Sequence, residues 1–338
     1  MILVTGATGF VGSHLLARLL KENKPIIATK RSNNHQTVTR HILSYYYEDV
    51  DAYFNKIQWI EMDFFNPADI QEVLERYAIE ELYHCIAILS FNERRRSEII
   101  KVNTNITANL VNACIGRHIK FCYVSSVGSL LNQFEHKNIT ENTFWQPGKY
   151  EYAYALSKYL AECEVWRGIE EGLNAVIVNP GIIVGPGKWN SGWGMLVKNA
   201  YKGLPFYTTG IMGYVAVEDV AEIMVQLMNR HIFSERFILV EGNYSFKEIL
   251  EEVHLSLNRP LPKYRARPFM LKIASYAETL WGFFNPSYEP LFSKATIQGA
   301  FMENYYNNEK IRKTLNFSFT PIKTAIHKTS EKFLKEIK

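Results

Sequence analysis

The chain begins Met1-Ile2-Leu3-Val4-Thr5-Gly6-Ala7-Thr8-Gly9-Phe10-Val11-Gly12, and this stretch decides the fold. Met1 to Thr5 reads as a short buried strand, which glycines spaced Gly-x-x-Gly-x-x-Gly then break. An apolar-periodic helix follows at once, with Leu15, Leu16, Leu19 and Leu20 on one face. Strand, glycine turn and helix N-terminus together make a pyrophosphate site. The glycines allow a tight turn and a close approach of the backbone, and the first free N–H groups of the helix point at the anion. The spacing differs from the commoner Gly-x-Gly-x-x-Gly, and alone it would suit a plain turn equally. Its place between a strand and a helix gives it weight.

Outward from that start, strand-like apolar runs recur at 26–29, 58–61, 81–86, 121–124 and 175–178. Helical stretches lie at about 97–116 and 150–171. Strands alternating with helices predict an α/β fold: a doubly wound parallel sheet of Rossmann type, covered on both faces, with ligands at the carboxyl ends of the strands. After Pro180 the texture changes. Glycine, proline and aromatic residues crowd 181–214, and a helix (218–230), a strand (236–240) and a helical C-terminal third follow. The expected division is a dinucleotide-binding domain at 1–180, rejoined by about 213–240, and a smaller, mostly helical substrate lobe at 181–212 and 241–338.

Composition bounds the partners. The 338 residues carry a formal net charge of only +4. The densest basic run, Arg94-Arg95-Arg96, is followed by Glu98, which suits a solvated helix start better than a nucleic-acid patch. Cys85, Cys114, Cys122 and Cys163 show no metal-ligand spacing and read as reduced core residues of a cytoplasmic protein. The apolar stretch from Phe269 to Phe284 is interrupted by Lys272 and Glu278, so an amphipathic helix is expected there and not a membrane span. No signal peptide is expected where the first residues form the cofactor strand. The expected partners are a small-molecule substrate and, as a homodimer, a second copy of the chain, with no nucleic acid, membrane or metal.

The chemistry sits further along. Ser125-Ser126 closes the run at 121–124, and Tyr154-Ala155-Leu156-Ser157-Lys158 lies on the helix that follows. Residues four apart share a helix face, so Tyr154 and Lys158 can both reach the carboxyl edge of the sheet. A phenol with a pKa near ~10 is a poor base at neutrality, and a neighbouring ammonium is expected to lower it. A serine hydroxyl can hold a carbonyl or alcohol oxygen beside the phenol. A second match, Tyr306/Lys310, has the spacing but lacks the preceding serine strand.

In these residues the chain resembles the extended short-chain dehydrogenases/reductases, the NAD-dependent epimerase/dehydratase family. Gly6, Thr8, Gly9, Phe10, Val11 and Gly12 look like its cofactor turn, and Asp63 with Phe64 falls where the family contacts the adenine. His84-Cys85-Ile86-Ala87 resembles its fourth-strand motif and Asn103 its helix asparagine. Ser126, Tyr154 and Lys158 match its catalytic triad, while Asn179-Pro180-Gly181 resembles the nicotinamide-side loop. Tyr214 to Ala221 looks like the motif that returns the chain to the first lobe. The resemblance thus implies Ser126, Tyr154 and Lys158 as catalytic. It implies Gly6, Thr8, Gly9, Phe10, Val11, Gly12, Asp63, Phe64, Ala87, Asn103, Pro180 and Gly181, again with Tyr154 and Lys158, as cofactor contacts. Other readings stand beside these: Asp63 as a turn residue before Pro67, Asn103 as a helix cap, and His84 as a packed core histidine.

The run at 26–29 ends Thr29-Lys30-Arg31-Ser32, with no carboxylate for a ribose 2′-hydroxyl. Arg31 can pair with a 2′-phosphate, which favours NADP over NAD; a solvated basic loop is the alternative. Residues 182–219 contain no arginine, the residue suited to gripping a sugar-nucleotide diphosphate. The segment looks closer to the dihydroflavonol 4-reductase and 3β-hydroxysteroid dehydrogenase branches. An NAD(P)-dependent reductase or dehydrogenase acting on a largely apolar carbonyl or alcohol is therefore expected. The alternatives are a nucleotide-sugar epimerase or dehydratase, and a non-catalytic NAD(P)-sensing protein.

Overall fold

In the computed structural model, which describes residues 1–31, 36–90, 92–130, 138–146, 152–284 and 294–337, the opening strand β1 (Ile2–Thr5) is buried along its whole length. It lies inside a seven-stranded sheet. β2 (Ile26–Thr29) and β3 (Ile57–Ile60) flank it on one side. β4 (Glu81–His84), β5 (Lys120–Val124), β6 (Ala175–Pro180) and β10 (Glu235–Leu239) continue on the other. Every neighbouring pair is parallel. The chain winds outward from β1 to β3, then crosses back to β4, so the crevice for a ligand opens at the carboxyl ends of β1 and β4.

Both faces of the sheet are apolar because both are covered. Ile2 and Val4 pack with Leu15, Leu16 and Leu19 of α1 (Phe10–Leu19) and with Met224 of α8 (Val217–Asn229). Leu3, pointing the other way, packs with α4 (Pro67–Arg76), α5 (Arg96–Cys114) and α6 (Ala153–Glu170). Each fully buried leucine or isoleucine contributes about 1.5–3 kcal/mol. Two short helices, α2 (Gln36–Leu43) and α3 (Val50–Phe54), extend the first layer.

A second sheet lies beyond the first. β7 (Ile182–Val184) runs parallel to β9 (Ile211–Ala216), which pairs antiparallel with β11 (Gly242–Ser245). Its core, including Trp193, Val197, Tyr214, Val253 and Ile326, is shared with α7 (Gly192–Tyr201), α9 (Phe246–Ser256) and α13 (Ile322–Glu336). A two-stranded ladder joins β8 (Phe206–Tyr207) to β12 (Tyr264–Arg265). α10 (Pro268–Phe284), α11 (Lys294–Gly299) and α12 (Glu309–Leu315) complete the chain.

The expected strands match to within two residues: β4 stops at His84, and β6 runs on through Pro180. Positions 150 and 151 of the expected helix lie outside the described residues, and α6 is described from Ala153. One core assignment needs correction. Cys114 and Cys122 are buried and Cys85 is half-buried, but Cys163 is exposed on α6. Among the described residues no helix is long and apolar enough to cross a membrane, and no His, Cys, Asp and Glu side chains cluster as a metal site.

Candidate active site

The cofactor turn is built on backbone contacts. Gly6 has φ +67°, a left-handed conformation, and a side chain there would lie 2.8 Å from the main chain of Cys85 and Ile86. The Gly6 carbonyl accepts the Gly9 N–H at 2.8 Å, and a side chain on Gly12 would drive into that same carbonyl. Gly9 begins α1 with no side-chain cap, and the first turn of α1 has no acidic residue. The free N–H groups of that turn and the positive end of the helix dipole therefore suit an anion. Thr8, Phe10 and Val11 stay partly exposed along the turn. These residues fit a dinucleotide pyrophosphate.

Asp63 and Phe64 lie just beyond β3. Asp63 is exposed, and its Oδ1 accepts the Phe65 N–H at 2.9 Å, so it closes a turn. Ala87 is exposed past the end of β4. Asn103 is buried mid-helix in α5, away from either end. It accepts the Ile88 N–H at 2.7 Å and donates to the Ile88 carbonyl at 3.1 Å and to Ser157 at 2.9 Å. Its amide thus pins the loop after β4 against α6, which is neither a cap nor a free contact. Arg31 is exposed at the end of β2 and makes no ion pair among the described residues, whereas Lys30 lies 3.8 Å from Glu61. Ser32 lies outside the described residues. His84 is fully buried between Thr5, at 2.8 Å, and Thr107, at 3.1 Å, and burial lowers it to about 3. It is a neutral core histidine.

The structure brings Ser126, Tyr154 and Lys158 to one edge. Ser126 follows β5, and its hydroxyl accepts the Gly128 N–H at 3.1 Å. Burial pushes the Tyr154 phenol up to about 12, and the Ser126 side chain beside it opposes the rise. The expected lowering by Lys158 is not what governs it. Lys158 is 2% exposed, donates to the Val124 carbonyl at 2.6 Å and lies 4.4 Å from the centre of the Tyr123 ring. Burial lowers its ammonium to about 7, against the attraction of Glu162.

Pro180 ends β6 and Gly181 follows it. A side chain on Gly181 would collide with the Gly213 carbonyl of β9, so this glycine is required by the crossing of two backbones. The neighbouring loop meets α1 directly, because His14 Nε2 bonds the Pro186 carbonyl at 3.0 Å.

Glu162 is a site residue that the sequence motifs do not include. This buried carboxylate, one turn beyond Lys158, accepts Ser125 at 2.6 Å, Ser129 at 2.7 Å, Asn179 at 2.8 Å and Arg236 at 2.9 Å. It joins β5, α6, β6 and β10 beneath the site. The signal was present as the repeat Tyr154, Lys158, Glu162, which continues one helix face.

A parallel sheet in this strand order, with a glycine turn at its first crevice and a serine–tyrosine–lysine edge beside it, defines a nucleotide-dependent enzyme of the doubly wound class. The chain belongs to the NAD dependent epimerase/dehydratase family, whose model matches residues 2–237. It is thus an NAD(P)-dependent oxidoreductase of the extended short-chain type. It is 24% identical over 280 residues to tetraketide alpha-pyrone reductase 1 of Arabidopsis thaliana, covering 78% of this chain and 83% of that protein. It is 25% identical over 306 residues to sterol demethylase protein B of Methylococcus capsulatus, covering 88% and 87%. Among solved structures, yeast methylglyoxal/isovaleraldehyde reductase Gre2 complexed with NADPH superposes with TM-score 0.75 at 19% identity, covering 99% of this chain and 98% of that one. UDP-glucose 4-epimerase of Thermotoga maritima does so with TM-score 0.76 at 16% identity, covering 100% and 99%. Reductase and epimerase share the fold equally, so these likenesses speak to architecture alone.

Proposed function

We propose that the chain is a carbonyl reductase of largely apolar small molecules, working in reverse as an alcohol dehydrogenase, with NADP as its preferred cofactor. What supports this reading is the Ser126 side chain standing beside a Tyr154 phenol that burial holds protonated. A protonated phenol is the form a reduction needs. The bound nicotinamide supplies the hydride. Ser126 holds the substrate oxygen, Tyr154 gives that oxygen its proton, and the resulting phenolate is stabilised by the nearby Lys158 ammonium. Lys158 also contacts the nicotinamide ribose in this reading, and the Gly6–Gly12 turn holds the pyrophosphate. Phe64, Ala87, Pro180 and Gly181 line the cofactor cleft at the strand ends, and Asp63 and Asn103 shape it from behind. Arg31 receives the 2′-phosphate.

The elements at 181–212 and 241–338 form the substrate lobe in this reading. The absence of arginine from 182–219 supports an apolar substrate over a sugar nucleotide. Homologues named as reductases, including putative dihydroflavonol 4-reductase of Synechocystis, support the same direction. The test is oxidation of NADPH against a panel of aryl and alicyclic ketones, with UDP-sugars in parallel. Turnover of a ketone is expected. Epimerisation of a UDP-sugar without net cofactor consumption would replace the reading with the epimerase one.

A further inference from the structure

Between Glu252 and Glu278 the chain has no acidic residue, yet it carries Arg259, Lys263, Arg265, Arg267 and Lys272. Lys263, Arg265, Arg267 and Lys272 are exposed, and among the described residues none of the four makes an ion pair. Some exposed cations elsewhere are paired, as Arg76 is with Glu72 and Arg117 with Glu75. With a net charge of only +4, this concentration of unmatched charge is local.

The same segment turns apolar side chains outward. Tyr264 on β12 is 59% exposed, and on α10 Phe269, Ile273 and Tyr276 are 57%, 63% and 76% exposed. The three α10 positions are spaced i, i+4 and i+7, which puts them on one helix face. Lys272 lies beside them, three residues after Phe269 and four before Tyr276. Single exposed apolar residues are ordinary, but a stripe of them set among cations marks an interaction surface.

We propose that this face, β12 and the first half of α10, docks on an anionic lipid surface. Aromatic rings, isoleucine and long basic stems are the groups that settle at the boundary between acyl chains and headgroups. The unmatched cations complement lipid phosphates, and the missing carboxylates remove any repulsion. The apolar groups on α10 stand out from one helix face, which suits insertion at the lipid boundary. The contact is peripheral, since no described helix can span a bilayer. It replaces the expectation of no membrane partner with contact at the surface, and it does not depend on the reductase reading.

Flotation of the full chain with vesicles tests this. Phosphatidylcholine vesicles containing phosphatidylglycerol should carry the protein, and pure phosphatidylcholine vesicles should carry far less. Replacing Lys263, Arg265, Arg267 and Lys272 by glutamine should lower partitioning by about fivefold per cation removed. Tyr276→Ser, at the most exposed position, should weaken the part of the binding that survives high salt. NADPH affinity and the melting transition serve as folding controls for each variant. Absence of vesicle binding would overturn the proposal, as would equal binding to neutral vesicles or binding unchanged by loss of the cations. A stable dimer that Tyr276→Ser dissociates would overturn it too, because the face would then belong to a second copy.

Discussion

Glu162 and Arg236 form an ion pair of 2.9 Å inside the protein, with the carboxylate 3% and the guanidinium 15% exposed. The pair ties α6, which carries Tyr154 and Lys158, to the sheet strand β10. Removing one partner of a buried pair leaves an uncompensated charge and costs about 3–5 kcal/mol. Glu162→Gln should therefore lower the urea midpoint markedly. It should also act on the site, because Glu162 is the main group holding the Lys158 ammonium charged against burial. Without it Lys158 falls below its present value of about 7. The alkaline limb of kcat/KM for ketone reduction should then move to lower pH. A limb that stays in place while stability drops would make Glu162 purely structural.

Tyr154→Phe keeps the ring and removes the transferable proton. Turnover should fall on the order of 10²-fold or more, while NADPH affinity, read by nicotinamide fluorescence, stays near that of the wild type. Near-normal turnover would remove Tyr154 from the chemistry.

Lys158→Met should reduce both turnover and NADPH affinity, and its pH signature is distinctive. Folding lowers the lysine from 10.5 to about 7. Between those values the unfolded chain binds the proton and the folded chain does not, so this group makes stability rise with pH across that window. In the methionine variant that rise should flatten, as measured by denaturant midpoints over the same range. An unchanged slope would mean that the lysine is charged when folded.

The sequence carried the sheet because each of its strands is a short apolar run, as in Ile26-Ile27-Ala28-Thr29, and needs to be apolar on both faces. It carried the glycine turn and the serine–tyrosine–lysine edge because their spacing is local. It did not carry the second sheet. β7 has only three residues, and β11 reads Gly-Asn-Tyr-Ser, which is polar and without alternation. Their approach depends on Gly181, which has no side chain to strike the Gly213 carbonyl of β9. Nor did it carry the Glu162 network, in which Glu162 meets Arg236 from 74 positions away once the sheet has formed. The Tyr154 phenol shows the same limit. Spacing predicted a lysine beside it, but burial, invisible in sequence, governs its proton.

Two buried histidines should set the acid limit of stability. Burial lowers His84 from 6.5 to about 3 and His14 from 6.5 to about 4. Both are neutral when folded. As pH falls below 6.5 the unfolded chain takes up their protons first, so stability is lost progressively between 6.5 and those lower values. Above 6.5 they contribute no slope. Denaturant midpoints measured from neutrality downward should fall through this window. His84→Gln should give a shallower fall, even if its absolute stability is lower through loss of the Thr5 and Thr107 bonds. An equal slope in the variant would place the acid sensitivity elsewhere.

Arg31 is exposed beyond β2 with no ion-pair partner among the described residues, whereas Lys30 lies 3.8 Å from Glu61 and is partly neutralised. Of the two cations, Arg31 is the one free to fork onto a 2′-phosphate. Arg31→Ala should weaken NADPH binding by roughly 1.5–3 kcal/mol, the range for a charge-assisted hydrogen bond, or about ten- to a hundredfold. NADH affinity should barely move. Glu61→Gln offers a second arm, since it removes a carboxylate charge 3.8 Å from Lys30 and should tighten NADPH modestly. Raising ionic strength should narrow the gap between the two cofactors, because exposed pairs are screened. Equal affinities for NADH and NADPH, unmoved by either substitution, would retire the NADP preference and leave Lys30 and Arg31 as a solvated loop.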